Sequence, residues 1–427
     1  MRKRQNNGNR AFISLLVIIM AMSFFPSVLS LEITNVWNIQ TVDASESVGW
    51  SSAIAIDSNN IPHVAYGGSQ DVKYASLNWN SWKIENIAQG GGRIGLALDS
   101  NNTPHVVFSD VEGRLFYAKR NVTGWDIQTV SGDGTSGAIA LDSMGKPHIA
   151  YLTTARVLKF ASLISTGWDI RTVDNSQLFS DNLVSLALDS NNQPHILYGY
   201  DKTGSQNTLM IVKYATYNNS GWDIQTVNSD AISGGLGNLV LDSKDLPQFT
   251  YILPGINPSF GYTVFNSTLI YIKSDGLVWN TQIVASNLNW GSFAGYLILD
   301  SSDYPHIVYC NSSFTNNTGT LLYSEWTGTS WNTQTVDSSS VLNAGPVVLD
   351  HNRNPHLAYL GQFKQYGSFA GYLKYASINE IQYENNNQTQ TLYIFLLVGV
   401  PTSVVLLIAV AYACKKRKIK TLKSDGK

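Results

Sequence analysis

Aspartate and histidine recur along this chain at a constant separation, and that spacing is where its chemistry could lie. Asp57 is followed by His63, Asp99 by His105, Asp142 by His148, Asp189 by His195, Asp300 by His306 and Asp350 by His356, while Asp242 has Gln248 in the corresponding place. Histidines in series invite metal ligation and aspartates invite a nucleophile. Neither survives the geometry of a repeat. Equivalent positions on stacked sheets lie about 10 Å apart, whereas the ligands of one zinc ion sit ~2 Å from it. The six histidines therefore do not converge on one ion. We read them as structural, each imidazole bonding a turn backbone group or the repeat aspartate, a place that Gln248 can fill. Each aspartate precedes turn residues such as Ser-Asn-Asn and suits an Asx-type turn, and seven copies of a nucleophile would serve no reaction. No catalytic residue, metal ligand or cofactor site is assigned.

What positions these residues is a unit present seven times. AIDSNNIPHVAY around Asp57 recurs as ALDSNNTPHVVF at Asp99, ALDSMGKPHIAY at Asp142 and ALDSNNQPHILY at Asp189. Diverged copies are VLDSKDLPQFTY at Asp242, ILDSSDYPHIVY at Asp300 and VLDHNRNPHLAY at Asp350, with spacings of 42, 43, 47, 53, 58 and 50 residues. Each unit holds four segments with strand character. Segment a ends at the aspartate. Segment b opens at Pro-His, so a tight turn joins the two. Segment c is of the Leu-Lys-Tyr-Ala type, and segment d begins at Trp82, Trp125, Trp168, Trp222, Trp279 or Trp331. Four strands in about 40–50 residues is the signature of a propeller blade.

The ends of the array complement each other. A lone d-type segment, Trp37–Val42, precedes the first a segment, and the last unit stops after segment c at Ala376. Pairing the two completes the seventh blade and removes an open edge. The expected fold is all-β, a seven-bladed propeller closed by its N-terminal strand.

The repeat resembles that of seven-bladed propellers of the sialidase-like kind that carry BNR or Asp-box repeats, over roughly residues 35–378. An Asp box reads Ser/Thr-x-Asp-x-Gly-x-x-Trp; here Ser143 follows Asp142, the glycine is Gly145, and Pro147 stands in place of the Trp. The resemblance implies the fold and raises a glycosidase or lyase as the alternative function. Such a site would need clustered arginines for a substrate carboxylate together with a tyrosine nucleophile and acids. Residues 31–414 contain only Arg93, Arg114, Arg120, Arg156, Arg171 and Arg353. Arg120 and Arg171 fall in c–d regions and Arg353 in an a–b turn, which leaves Arg93, Arg114 and Arg156 as the trio for the other side. No nucleophile motif, phosphate-binding loop or zinc signature joins them.

The termini place the chain. Arg2, Lys3, Arg4 and Arg10 precede the apolar run 11–25 and the small-residue end at Ser30, the order of a secretory signal peptide over residues 1–30; an uncleaved anchor is the other reading. Residues 31–380 form the propeller, 381–391 a polar stalk. The 23 uncharged residues 392–414 suit a transmembrane helix, and the basic tail 415–427 follows at once. A basic flank stays inside, so we expect a single-pass protein of the cell membrane with its body outside the cell and its tail in the cytoplasm. The formal net charge of −2 conceals a body, residues 31–414, with 17 basic and 29 acidic side chains. Such a surface repels nucleic acid. Cys310 and Cys414 are the only cysteines, too few for a disulfide framework. Glycosylation triplets begin at Asn101, Asn121, Asn218, Asn266, Asn311, Asn316 and Asn387.

Individuality lies in the connections. The a–b turns are nearly constant, whereas long b–c connections at 199–208, 253–267, 311–320 and 361–371 are rich in Gly, Ser, Asn and aromatics. Function sits in variable connections on a rigid scaffold. The reading is a binding, adhesion or scaffold module for a glycan or an envelope protein, held on the side that bears the b–c and d–a connections.

Overall fold

The computed structural model describes residues 36–379 apart from 46–47, 49–50, 69, 177–183, 202–209, 219, 233–234, 254–265, 290–292, 314–317, 340 and 366–367. The expected signal segment 1–30, stalk 381–391, span 392–414 and tail 415–427 lie outside the described residues, as do Asn316 and Asn387. Every regular element among the described residues is a β-strand, and none of them forms a helix long and apolar enough to cross a membrane.

Each repeat folds as an antiparallel sheet whose strands lie side by side in the order a, b, c, d. Blade one consists of Ser52–Ile56, Pro62–Gly67, Asp71–Asn78 and Ser81–Gln89, and blade two of Gly91–Leu98, Pro104–Ser109, Leu115–Arg120 and Trp125–Ser131. Blades three, four and five occupy 136–174, 184–232 and 240–288. Blade six is Phe293–Leu299, Pro305–Ser313, Thr318–Trp326 and Trp331–Asp337. In blade seven the sheet order is Val36–Asp43, Ser368–Asn379, Pro355–Gln365, Val341–Asn343, with Val347–Leu349 also paired to Pro355–Gln365. The N-terminal strand is thus the outer strand of the last blade. The a strands touch one another in sequence, and Val347–Leu349 meets Ser52–Ile56 to close the ring.

The residue pattern follows from this packing. A b strand is covered by the neighbouring blade on each face, so Pro62–Gly67 and Pro104–Ser109 are buried throughout and cannot alternate. The d strands lie at the rim and are largely exposed, as in Trp125–Ser131, where Val130 alone is buried. Between blades, the tryptophan that opens each d strand meets an aromatic ring on the c strand of the preceding blade, edge to face. Trp125 lies 5.3 Å from Tyr74, Trp168 5.4 Å from Tyr117, Trp222 5.5 Å from Phe160 and Trp279 5.5 Å from Tyr214. Trp331 on Tyr271, Trp37 on Tyr323 and Trp82 on Tyr375 complete the circle at 5.7, 5.4 and 5.1 Å. Such pairs add about 1 kcal/mol each beyond the area they bury. The tryptophan faces are therefore committed to blade packing rather than offered to a sugar.

One expectation is corrected. The connections 311–320 and 361–371, read as loops, are largely continuations of the b and c strands. Asn311 pairs with Thr320 and Ser313 with Thr318; in blade seven the ladder runs from Gly361↔Tyr372 to Gln365↔Ser368. In blade four it continues through Asp201↔Met210. Pairing satisfies backbone groups that a loop would leave to water, and the Thr, Tyr and Phe content of these stretches favours it. Residues 254–265 of the fourth long connection lie outside the described set.

Candidate functional site

The repeat aspartates close the a–b turns. In blade one Oδ1 of Asp57 accepts the N–H groups of Asn59 and Ile61 at 2.8 and 2.7 Å, and in blade two Asp99 accepts those of Asn101 and Thr103 at 2.9 and 2.8 Å. Asp142, Asp189, Asp242, Asp300 and Asp350 do the same. Burial acts to raise the carboxyls of Asp57, Asp99, Asp142, Asp242 and Asp350, but these N–H bonds outweigh it and hold them below the usual carboxylate range. The residue three places on must turn left-handed. It is Asn60, Asn102, Gly145, Asn192, Asp245, Asp303 or Arg353, with φ from 61° to 75°.

The histidine joins this turn to the c strand. Nε2 faces the other aspartate oxygen, within hydrogen-bond reach at 3.4 Å in His105 and 3.5 Å in His148, and as a looser contact of 3.5–3.9 Å elsewhere. Nδ1 meets the hydroxyl of Tyr117 at 2.6 Å and those of Tyr323 and Tyr375 at 2.5 Å; Tyr74 and Tyr214 serve His63 and His195, and Ser162 serves His148. Gln248 reproduces both ends, its amide nitrogen on Asp242 and its carbonyl oxygen accepting from Tyr271. That substitution fixes the roles: Nε2–H points to the carboxylate and Nδ1 accepts from the phenol. Burial lowers all six imidazoles below their ordinary value against the opposing pull of nearby carboxylates, and it raises the phenols, Tyr375 to about 12. An Asp–His–Tyr–Trp chain thus runs as a brace across five of the junctions; Gln248 takes the histidine's place in blade five, and in blade three Phe160 lies under Trp222 while His148 turns to Ser162. The tyrosine was not singled out from sequence, although the Leu-Lys-Tyr-Ala phrase carried it; the tryptophan was, as the residue that opens each d segment and packs between blades.

The turns also link sideways. The N–H of Ser58 donates to Asn102, Ser143 to Asn192, Ser190 to Asp245, Ser243 to Asp303 and His351 to Asn60, at 2.9–3.2 Å, and Arg353 donates to Ser301 and Ser302. Only between blades two and three, where Gly145 has no side chain, is this link missing among the described residues. A cavity of about 340 Å³ at this rim is lined by Asp57, Ser58, Ser100, Asn102, Asp350 and His351. Both of its carboxylates are already held by the turns.

On the opposite side lies a second polar device that sequence reading missed. Asp43, Asp174 and Asp337 end d strands and each bonds a tyrosine and a lysine of the next blade. The Tyr66, Tyr198 and Tyr359 hydroxyls donate to them at 2.9, 2.8 and 2.7 Å, and Lys73, Lys213 and Lys374 at 3.1, 2.9 and 2.8 Å. Its signal was present as Thr-Val-Asp-x-Ser, found only at Asp43, Asp174 and Asp337. Burial acts to raise Asp337, but Lys374, Ser339 and Tyr359 outweigh it and bring it down to about 2. Because the folded value lies below the unfolded one, the stabilisation is present above pH 4 and is lost as pH falls toward 2. Asp337→Asn should therefore cost about 2–4 kcal/mol in denaturant unfolding at pH 7, with the difference shrinking below pH 4. An unchanged midpoint at pH 7 would show the contact to be idle.

The arginine trio is spread over three separate elements. Arg114 and Arg156 sit in the b–c turns of blades two and three, Arg114 paired with Asp110 at 2.5 Å and Glu112 at 2.6 Å, while Arg93 lies on the innermost strand of blade two. Among the triplet asparagines, Asn101, Asn121, Asn218 and Asn266 are exposed or near a turn, with Asn121 and Asn218 accepting backbone bonds from residues two places on. Asn311 accepts from the Asn289 N–H at 2.9 Å. No three His, Cys, Asp or Glu side chains among the described residues are grouped so as to hold a metal ion.

No protein-family model matches the chain, and no curated protein matches it. Solved structures similar to it include an ulvan lyase, described as a new family of polysaccharide lyase, at 12% identity, covering 79% of this chain and 95% of that one, with a TM-score of 0.48. Others are the lectin SapL1 in complex with α-methyl fucoside, at 14% identity over 68% and 97% with a TM-score of 0.46, and a six-bladed fucose-recognising lectin from Aleuria aurantia, at 10% over 70% and 98% with a TM-score of 0.47. The seven blades of this chain are established by its own sheets.

Proposed function

We propose that this chain is a cell-surface binding protein, a propeller carried outside the cell on a single span at 392–414 after removal of residues 1–30, which holds a glycan or an envelope protein on the b–c and d–a side of its ring. The asymmetry of that side carries the reading. The b strands of blades one, two and three have 6 residues each, whereas those of blades four, six and seven have 8, 9 and 11. Three hairpins, those of blades four, six and seven, thereby extend beyond those of blades one to three. They include Tyr200, Phe363, Phe369 and Tyr372, residue types that stack on sugar rings. Strand polarity puts the end of Ser368–Asn379 on the a–b side, away from the hairpin tips. The carboxylates and imidazoles of the repeat, meanwhile, are occupied in bracing blades. The triplets at Asn121, Asn218, Asn266 and Asn311 are proposed attachment points for glycans of the protein's own, with Asn101, Asn316 and Asn387 as further candidates.

The test is a variant in which Asn-Gly replaces Phe363–Ala370, a two-residue turn that preserves the Gln362↔Gly371 pair. Full-length protein should retain ligands from an array of glycans and envelope proteins without cleaving any glycoside. The variant should unfold at the same temperature and bind at least tenfold more weakly. Turnover of a glycoside by the parent chain, or equal retention by the variant, would overturn the proposal.

A further inference from the structure

Six of the seven b strands carry a tyrosine at the same place, four residues after the proline: Tyr66, Tyr151, Tyr198, Tyr251, Tyr309 and Tyr359. All are buried. Tyr66, Tyr198 and Tyr359 donate to the aspartate that ends the neighbouring d strand, Tyr309 accepts from Ser324 at 3.5 Å, and Tyr251 also has a partner. Tyr151, which is fully buried, is the exception: its hydroxyl has no hydrogen-bond partner among the described residues. Contacts fix where the ring lies. It belongs to the cluster between blades two and three with Leu115 and Val130, and the turn after the d strand passes so close that a Cβ on Gly134 would lie 3.0 Å from the Tyr151 Cδ2.

What differs is the residue on the other side of the junction. Val42, Val173 and Val336 share clusters with Tyr66, Tyr198 and Tyr359, and the residue after each is Asp43, Asp174 or Asp337. Val130 takes that part for Tyr151, but the residue after it is Ser131. The ladders confirm the equivalence: Ser131 pairs with Leu115 as Asp174 pairs with Leu158 and Asp337 with Leu321, each beside a register irregularity. The lysine is retained. Lys159 is the ladder partner of Tyr151, as Lys73 is of Tyr66, Lys213 of Tyr198 and Lys374 of Tyr359, so the two side chains share one face of the blade. Lys159 is half-buried and has no hydrogen bond or ion pair among the described residues. The Ser131 hydroxyl donates to the Asp133 carbonyl at 3.0 Å, and the Asp133 carboxylate is held by the N–H and hydroxyl of Thr154 at 2.7 and 2.5 Å. Burial raises the Tyr151 phenol above its ordinary value, with Ser131 opposing, so the hydroxyl remains a donor. A buried donor without a partner is costly, and an acceptor brought to it offsets that cost.

We infer that Tyr151 and Lys159 form a carboxylate site at the junction of blades two and three, which takes the acidic group of a saccharide on the b–c and d–a side of the ring. Three other junctions show the fit. There a carboxylate oxygen lies 2.7–2.9 Å from the phenol oxygen and 2.8–3.1 Å from the lysine nitrogen. At this junction the chain places the smaller Ser131 and leaves both donors to an incoming group. The approach is from the d–a connection, where Gly132 is exposed. A phenol and an ammonium together favour a charged acceptor over a neutral one. The inference rests on the binding reading above and narrows its ligand to an acidic one.

The test uses full-length protein with sodium acetate, sodium glucuronate and glucose as probes, at constant ionic strength in chloride, read by titration calorimetry and by the shift in melting temperature. Acetate and glucuronate should bind and glucose should not. Ser131→Asp, which supplies the carboxylate from the chain itself as Asp174 and Asp337 do, should raise the melting temperature and abolish binding of both anions. Tyr151→Phe should weaken both at least tenfold without lowering the melting temperature, because it removes a hydroxyl that bonds nothing. Tyr198→Phe, whose hydroxyl holds Asp174, should do the reverse, lowering the melting temperature and leaving anion binding unchanged. Lys159→Met should weaken both anions several-fold. Undiminished binding by Ser131→Asp or by Tyr151→Phe, or no binding of either anion by the parent, overturns the site; should Ser131→Asp fail to fold, Tyr151→Phe decides alone. If the site fails while the parent still retains neutral glycans, the binding reading stands without it. Acetate bound through Tyr151 with no binding of glucuronate overturns the saccharide assignment and identifies a small free carboxylate as the occupant.

Discussion

Removing Val36–Asp43 should abolish the cooperative unfolding of the ring, whereas removing the basic tail 415–427 should leave the melting temperature unchanged. The strand supplies the outer edge of blade seven, and its loss leaves Ser368–Asn379 with an unpaired edge. Trp37 leaves the face of Tyr323, and Val42, which is buried, leaves the cluster between blades seven and one. Tyr66 and Lys73 also lose Asp43. A tryptophan taken from such a contact costs about 3 kcal/mol, and losing a charged partner buried beside a lysine costs a similar amount. Marginal stabilities of about 5–15 kcal/mol do not absorb several such losses at once. Thermal unfolding followed by tryptophan fluorescence and near-ultraviolet circular dichroism checks this. A truncated chain that melts sharply at the parent temperature would mean that the ring does not depend on its closing strand.

Acidification from pH 7.5 to pH 5 should destabilise the fold steeply, and replacing histidines should flatten the response. All six repeat imidazoles are lowered by burial, so the folded protein holds them neutral at pH values where the unfolded chain, with an ordinary value of about 6.5, takes up protons. Below that point the unfolded state binds more protons than the native one, so stability falls as pH falls. Each excluded proton contributes at most about 1.4 kcal/mol per pH unit, and six copies act together. Gln248 indicates the replacement the network tolerates, since it holds Asp242 and Tyr271 without titrating. Three changes, His105→Gln, His195→Gln and His356→Gln, should together reduce the slope of stability against pH by about half while preserving stability at pH 7.5. Denaturant midpoints across this range decide the matter. A flat profile for the parent chain would show that the histidines do not carry its acid sensitivity.

Local sequence carried a large part of this architecture. The Asp and Pro-His landmarks mark two ends of one hairpin, and the period-two pattern with its turn residues identifies strands without reference to anything distant. Because a propeller is a repeat of one unit, seven recognisable copies and a spare strand at Trp37 sufficed for blade number and closure. The structural role of the aspartates was likewise readable, because an Asx turn is made within five residues. Less was legible where length alone was the cue. The stretches at 311–320 and 361–371 were rich in turn-forming residues and read as loops, but the partner strand across the hairpin, not the composition, decided that they pair.

The sequence by itself determined the unit, its number and its closure, since these depend on contacts a few residues apart or on the repetition of one pattern. Only the tertiary structure decided what each side chain meets across a blade junction: Trp125 on Tyr74, Asp337 on Tyr359 and Lys374. Asp337 and Lys374 are separated by 37 residues and Trp125 and Tyr74 by about 50, and no local propensity reports on pairs so distant. The ring brings them together because each blade must bury both faces against its neighbours, and the polar groups carried into those interfaces have to find partners there or be left to meet a ligand.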